Sequence, residues 1–173
     1  MRGIIKELTG GTRRSLGRTD EVVAEVLAKP ILFRHLVAAF DSGDEVIRMR
    51  AADAIEKISA QRPTLLCPHK KKLLTLAVTP GEVSEQQEIR WHLALIFPRL
   101  ELTSPERDAV VDILFDYLRD KSSIVRTHAM QSLADLAAAE PKLKSRILPI
   151  LEKLTQTGTP AMRARGRKLL AGL

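Results

Sequence analysis

Apolar residues recur every three or four positions along most of this 173-residue chain, from about Thr19 onward. That spacing places them on one side of an α-helix, whereas a half-buried strand would alternate apolar and polar residues. Proline, glycine and Thr-Pro pairs separate the periodic stretches, and such residues end one helix and open the next. The pattern therefore predicts antiparallel helix pairs joined by short turns, without a strand. The predicted helices cover about 19–29, 31–41, 44–61, 68–78, 84–99, 105–119, 124–139, 141–157 and 160–173.

A seven-residue pattern with a central arginine occurs four times in these helices. A nearly fixed period of about 40 residues indicates a stack of repeated helix pairs. The copies are Val46–Ala52, Glu88–Ala94, Ile124–Met130 and the degenerate Ala161–Arg167. Their arginines, which lie 42, 36 and 37 residues apart, are Arg48, Arg90, Arg126 and Arg163.

The helical wheel separates a core side from an outer side in every copy. At about 100° per residue, the residue before each arginine and those three, seven and ten after it fall on one stripe. All of them are apolar or glycine, so this stripe is the predicted buried face, and the small residue in the middle of most copies lets helices approach closely. The stripe consists of Ile47, Ala51, Ile55, Ile58, Ile89, Leu93, Phe97, Leu100, Val125, Ala129, Leu133, Leu136, Met162, Gly166, Leu170 and Leu173.

The arginine of each copy lies about 60° from the centre of the stripe, at its edge. There the aliphatic stem packs while the guanidinium reaches an acceptor on the neighbouring repeat. We therefore interpret four residues as structural rather than ligand-binding: Arg48, Arg90, Arg126 and Arg163.

An acidic turn followed by apolar-apolar-Arg-x-x-Ala, with Leu or Ile four residues later, resembles the second helix of HEAT repeats, which build armadillo-like α-solenoids. Pro105 and Pro149 in the partner helices resemble that family's habit as well. The resemblance covers about residues 30–173 as four helix pairs, with 19–29 as half a pair more, and it implies a right-handed α-α superhelix. In the family, an aspartate near the start of the second helix pairs with the arginine of a neighbouring repeat. Asp44 occupies this place, whereas the later copies hold Gln86, Ser122 and Thr159.

The resemblance also places the second helices along a concave face. The residue after each arginine then points about 160° away from the core stripe, into the concave space. Trp91, with Leu95 one turn on, either forms an outward patch for a protein or ligand or packs under the 79–84 loop or the N-terminal leader. The residues at this position are Met49, Trp91, Thr127 and Ala164.

The next position along the motif is basic or imidazole in all four copies. Together with Lys57, Arg99, Arg167 and Lys168 it forms either a basic stripe along the groove or a set of solvated charges interrupted by acidic residues. The residues at this position are Arg50, His92, His128 and Arg165.

Positive charge is concentrated at the two ends of the chain. The net charge is +7, but residues 1–18 hold five basic groups against one acidic and 142–173 hold eight against one, whereas 19–141 hold fifteen against nineteen. We interpret 1–18 as a basic, mobile leader and 19–173 as the solenoid domain. The charged ends are explained either as a footprint for an acidic partner or as plain solubility.

Candidate chemistry is sparse. The four histidines lack metal-ligand spacing, and the chain has no Gly-rich phosphate loop, no nucleophile elbow and no helical His-Glu-x-x-His, so we predict no metal, no cofactor and no catalytic residue. Cys67 is interpreted as a turn residue rather than as a reactive thiol at a helix start. A single cysteine excludes an intramolecular disulfide and favours a cytoplasmic location, while no apolar run is long enough to span a membrane and no signal peptide is recognisable.

These patterns lead to a non-enzymatic scaffold that binds another protein or peptide on its concave face, as a monomer or weak dimer without membrane association. The alternative is a nucleic-acid-binding protein, by analogy with DNA alkylation-repair glycosylases built from HEAT-like helices. Glycosylase activity is not expected, because Leu95 fills the place where a carboxylate beside Trp91 would be needed. A third class, helper proteins similar to bilin lyases, shares the repeats but gains no specific residue.

Overall fold

The computed structural model describes residues 3–12 and 15–173, and the regular structure in these ranges is entirely helical. The prediction of an all-α fold is confirmed. Short 3-10 turns at Pro30–Leu32, Ala39–Asp41, Pro63–His69, Phe97–Arg99 and Pro141–Leu143 extend or join several helices. The helices are α1 Gly3–Glu7, α2 Thr19–Ala28, α3 Phe33–Ala38, α4 Glu45–Gln61, α5 Lys70–Val78, α6 Glu82–Glu85, α7 Gln87–Ile96, α8 Ser104–Tyr117, α9 Ser123–Ala139, α10 Lys144–Thr157 and α11 Pro160–Leu170.

The chain forms two compact units, Met1–Glu101 and Leu102–Leu173. In the first unit α4 packs against both α2 and α7, and α1 packs against α2 and α3. In the second unit α9 packs against α8, and α11 packs against both α9 and α10. The motif helices α4, α7, α9 and α11 therefore each have other helices of their own unit beside them.

Polar side chains cap the helix starts that the sequence predicts. The Asp44 carboxylate accepts hydrogen bonds from the backbone amides of Val46 (2.8 Å) and Ile47 at the start of α4. The spacing of Thr103 and Glu106 in the sequence predicts a capping box for α8, and the Glu106 carboxylate accepts a hydrogen bond from the Thr103 amide (2.8 Å) that completes it. Each cap satisfies an amide that the helix itself leaves without an acceptor. The sequence also favours Thr19 as the cap of α2, which is wrong, because Thr19 is already the first helical residue and its buried hydroxyl donates backward to a backbone carbonyl.

The predicted core stripe is buried in all four motif helices, apart from the half-buried Leu170 and Leu173 at the end of the described chain. The closest approach is at Gly166 on α11. A Cβ atom built there would stand 1.9 Å from the hydroxyl oxygen of Thr155 on α10. That hydroxyl donates to the Leu151 carbonyl at 2.7 Å, so it is not free to swing away. The pair α10–α11 thus meets at a distance that only glycine permits.

The segment predicted as a leader is packed where the structure describes it. Ile4 and Leu8 are buried in the core of the first unit, and Arg18 forms an ion pair with Glu7 across the segment. Apolar burial of this kind ties the segment to the helices beside it. The predicted mobility of 1–18 stays a prediction, and part of its charge lies outside the described residues, on Arg2, Arg13 and Arg14.

Candidate functional site

The first motif arginine joins two successive repeats. Arg48 is 5% exposed, and its Nε donates to the Gln86 side-chain oxygen at 2.9 Å while Nη1 donates to the Ser42 carbonyl at 2.7 Å. The Gln86 amide in turn donates to the Glu45 carbonyl at 2.9 Å. In HEAT repeats an aspartate at this place pairs with the arginine of a neighbouring repeat. Here the neutral Gln86 takes that place and accepts the hydrogen bond from Arg48 of the preceding repeat.

The other three motif arginines show other surroundings. The Arg90 Nε donates to the Ser84 carbonyl at 2.7 Å, just before its own helix. The buried Arg126 Nε has no hydrogen-bond partner among the described residues. Thr159, which takes the place of the family's aspartate in the fourth copy, caps α11 with its hydroxyl instead. Arg163 is exposed. Identical motif positions thus have different surroundings.

Arg50, predicted on the concave surface, is instead enclosed by the N-terminal segment. It is 1% exposed, so its guanidinium is withdrawn from solvent. Nη1 donates to the carbonyls of Leu8 (2.9 Å) and Thr9 (3.2 Å), and Nε donates to the Ser15 carbonyl (3.0 Å). Hydrogen bonds to neutral carbonyls let the buried cation replace its lost water ligands.

Glycines make this enclosure possible. A Cβ at Gly17 would lie 2.8 Å from the Arg50 Cζ, and one at Gly11 would lie 3.0 Å from its Nη2. Both glycines have positive φ angles, 57° and 76°, which side chains other than glycine rarely adopt. The sequence shows that the predicted leader is rich in glycine, which indicates tight turns or a close approach of another group. It does not show that the group is the Arg50 side chain.

Two further residues predicted on the open surface are buried, Met49 and His92. Met49 lies on α4, which packs against both α2 and α7. The helical wheel of α4 alone predicts an exposed position for Met49, because it does not include these neighbouring helices. At the position after each arginine, Trp91 and Thr127 are half-buried and Ala164 is exposed. Leu95 is half-buried as well, and the Trp91 ring centroid lies 5.6 Å from that of His92.

The position two after the arginine serves packing in at least two copies. Arg50 reaches back to the segment before α2, and the half-buried Arg165 donates to the Gln131 side-chain oxygen of α9 at 3.1 Å. His128 is half-buried. In these two copies the position contacts earlier parts of the chain, so Arg50 and Arg165 are not free members of a basic stripe.

Ion pairs neutralise the flanking cations of the first unit. Lys57 lies 2.7 Å from the Asp20 carboxylate and 2.8 Å from that of Asp53, and Arg99 lies 2.6 Å from that of Glu56. Burial disfavours the charged form of Lys57, but the hydrogen bonds to both aspartates outweigh burial and raise its pKa above the ordinary value. These two predicted members of the basic stripe are thus already paired.

Among the described residues, no cluster of three or more His, Cys, Asp and Glu side chains is arranged to hold a metal ion. Cys67 is exposed in the 3-10 turn Pro63–His69, and α5 begins only at Lys70, so the thiol does not sit at the start of an α-helix. Burial and the charge of Lys72 lower the pKa of His69, whose ring centroid lies 5.7 Å from that of Phe33. In the described ranges, no helix combines the length and the apolar character that crossing a membrane requires.

No protein-family model matches the chain, and no curated protein matches it by sequence. In three dimensions the chain is similar to a crystal structure of computationally designed armadillo repeat proteins for modular peptide recognition. The TM-score is 0.64 at 18% sequence identity, over 97% of this chain and 79% of the designed one. At this identity the likeness speaks for the fold, which is an armadillo-like helical-repeat solenoid.

Proposed function

We propose that this chain is a non-enzymatic interaction module that holds a peptide or a segment of another protein against the motif helix α7, with Trp91 and Leu95 as the apolar centre. The observation that carries the proposal is the half-buried state of these two side chains, one helical turn apart. They are neither enclosed in the core nor replaced by polar groups. Tryptophan is among the residues that contribute most to binding at protein interfaces, and an adjoining apolar side chain enlarges the apolar surface around it.

The variation between the motif copies supports the same function. The core stripe keeps its apolar character in all four copies, as a stack of helices requires. The position after the arginine instead changes from a buried methionine to a half-buried tryptophan, a half-buried threonine and an exposed alanine. A position whose residue changes from copy to copy is not dictated by the stacking of the helices, so Trp91 is available for another role. The designed armadillo proteins of similar fold, made for modular peptide recognition, add support by analogy.

The pKa shifts of Lys57 and His69 have structural causes. They come from burial, from the ion pairs of Lys57 with Asp20 and Asp53, and from the charge of Lys72 near His69. Structural contacts of this kind explain both shifts without a catalytic role. We therefore assign no reaction to this surface.

Selection of displayed random peptides against the full chain tests the proposal. Peptides selected on the wild type are expected to lose at least about tenfold in affinity, about 1.4 kcal/mol, for the double variant Trp91→Ala/Leu95→Ala, because truncating an apolar anchor removes that much or more. Circular dichroism would establish that the variant remains folded.

The matched control is Ile31→Ala/Val78→Ala, which truncates two more exposed apolar side chains of the same unit (67% and 61% exposed). Its affinity for the selected peptides is expected to stay within about twofold of the wild type. If both double variants lose affinity equally, or if no peptide is enriched on the wild type, the α7 patch is not the binding site.

A further inference from the structure

Charge is separated within the second unit. Residues 102–141 hold four basic and seven acidic groups, whereas 142–173 hold eight basic groups against Glu152 alone. The acidic groups of α8 are partly used within the unit, because Arg146 forms ion pairs with Asp112 and, at 3.6 Å, with Asp108. The cations of the last helix have no comparable acidic neighbours in sequence.

Helix α11 presents an open cationic face made of Arg163, Arg167 and Lys168. All three are exposed, and no carboxylate lies within ion-pair distance of them in the described part of the chain. Between Arg163 and Arg167 the exposed residue is Ala164, whose small side chain does not shield their charges. Arg165 does not belong to this face, because it is half-buried and bonded to Gln131. We call the three cations together the α11 cationic face.

Intrahelical forces account for only part of this arrangement. Arg167 and Lys168 stand in the last turn, where the helix dipole favours cations. Arg163 stands one turn from the N-terminus, where the dipole disfavours a cation, and it is four residues from Arg167, a spacing at which like charges repel by about 0.2–0.5 kcal/mol. The placement of Arg163 is therefore unfavourable within the helix, and an acidic partner outside the helix would stabilise it.

We propose that the α11 cationic face docks an acidic polypeptide segment. This inference rests on the interaction-module function and names the chemistry of its partner. Arg163 and Arg167 are four residues apart, which is a rise of about 6 Å along the helix, a spacing that suits carboxylates placed along a peptide. Each guanidinium can bind one carboxylate through two parallel hydrogen bonds. The methyl group of Ala164 between them offers a small apolar contact for the peptide's aliphatic groups.

The composition of the face favours a peptide over a nucleic acid. α11 contains no aromatic side chain on which an unpaired base could stack. Three cations would also neutralise only about three phosphates of a duplex, far fewer than the six to ten contacts of a typical DNA-binding protein. In the first unit, two other cations that were candidates for a phosphate track, Lys57 and Arg99, are already paired with carboxylates.

The test measures fluorescence anisotropy of a labelled 20-residue peptide of alternating glutamate and alanine with the full chain at low and physiological salt. The triple variant Arg163→Gln/Arg167→Gln/Lys168→Gln is expected to bind at least about tenfold more weakly than the wild type. The charge-matched control Arg34→Gln/Lys71→Gln/Arg119→Gln removes three exposed cations elsewhere and is expected to change the Kd by less than about twofold.

Equal weakening in the triple variant and its control would reduce the effect to net charge and overturn the proposal, as would no binding by the wild type at low salt. Tighter binding of a 20-base-pair DNA duplex through the same three side chains would replace it with nucleic-acid recognition. The Trp91→Ala/Leu95→Ala variant is measured in parallel. Suppose that this variant still binds the acidic peptide, while no displayed peptide depends on Trp91 and Leu95. The proposal for the α11 cationic face is then supported, and the function proposed for α7 is contradicted.

Discussion

Helices α4 and α11 carry the same motif in opposite surroundings. On α4 both motif arginines are buried, Arg48 against the next repeat and Arg50 beneath the N-terminal segment. On α11 the corresponding Arg163 is exposed and Arg165 is only half-buried. The difference comes from their neighbours, since α4 has α2, α7 and the N-terminal segment around it, whereas α11 packs on α9 and α10. A repeated residue therefore has a structural role in one copy and is available to a partner in another.

The largest effect is expected from Arg50→Met. The change keeps much of the volume but leaves three carbonyls of the N-terminal segment without their donor, which should lower the free energy of unfolding by about 3 kcal/mol. Urea unfolding followed through Trp91, the only tryptophan, reports on the first unit. The matched variant Arg165→Met, at the same motif position of α11, loses one hydrogen bond and is expected to cost about 1 kcal/mol or less by circular dichroism. Equal losses would remove the contrast between the two helices.

A smaller effect is expected on the buried side of α11. Gly166→Ala should lower the free energy of unfolding by about 1–3 kcal/mol, although alanine favours a helix, because the new Cβ would overlap the Thr155 hydroxyl. In a Thr155→Ala background the cost should fall by more than half, since the overlapping oxygen is gone. A cost unchanged in that background would mean that another contact sets the α10–α11 distance. The result would sharpen the comparison by showing that α11 is open only on its outer side.

The smallest effect is expected from acidification. The pKa of His69 is lowered in the folded state, so the unfolded chain binds more protons as the pH falls through the ordinary value of 6.5, and this contribution to stability, present above that pH, is lost below it. The Trp91-monitored urea midpoint should fall between pH 7.5 and 5.5. His69→Gln should reduce the fall, although Lys72 and the ring of Phe33 remain beside the position. An identical pH dependence in the variant would assign the effect to other groups.

Hydrophobic periodicity was sufficient to predict the core stripe and most of the helices, because a helix wheel depends only on residues of one helix. It missed the break at Gln86, which divides the predicted helix 84–99 into α6 and α7. It was insufficient for Met49, Arg50 and His92, since the wheel does not show which other segments lie beside the helix. Arg50 illustrates the limit, because its partners come from 35 to 42 residues earlier in the chain. Trp91 and Ala164 were correctly kept out of the core stripe, but whether they contact a partner stays a prediction.

The Arg50 contacts also have a kinetic consequence. Solenoids fold largely through contacts between nearby residues and propagate from repeat to repeat. Hydrogen bonds that span about 40 residues require α2 and α4 to be in place before the N-terminal segment can close over the guanidinium. We therefore expect this closure to form after the main folding barrier, so that it governs how slowly the first unit opens rather than how quickly it forms. The contacts of Arg50 in the first motif copy would therefore lower the unfolding rate of the first unit.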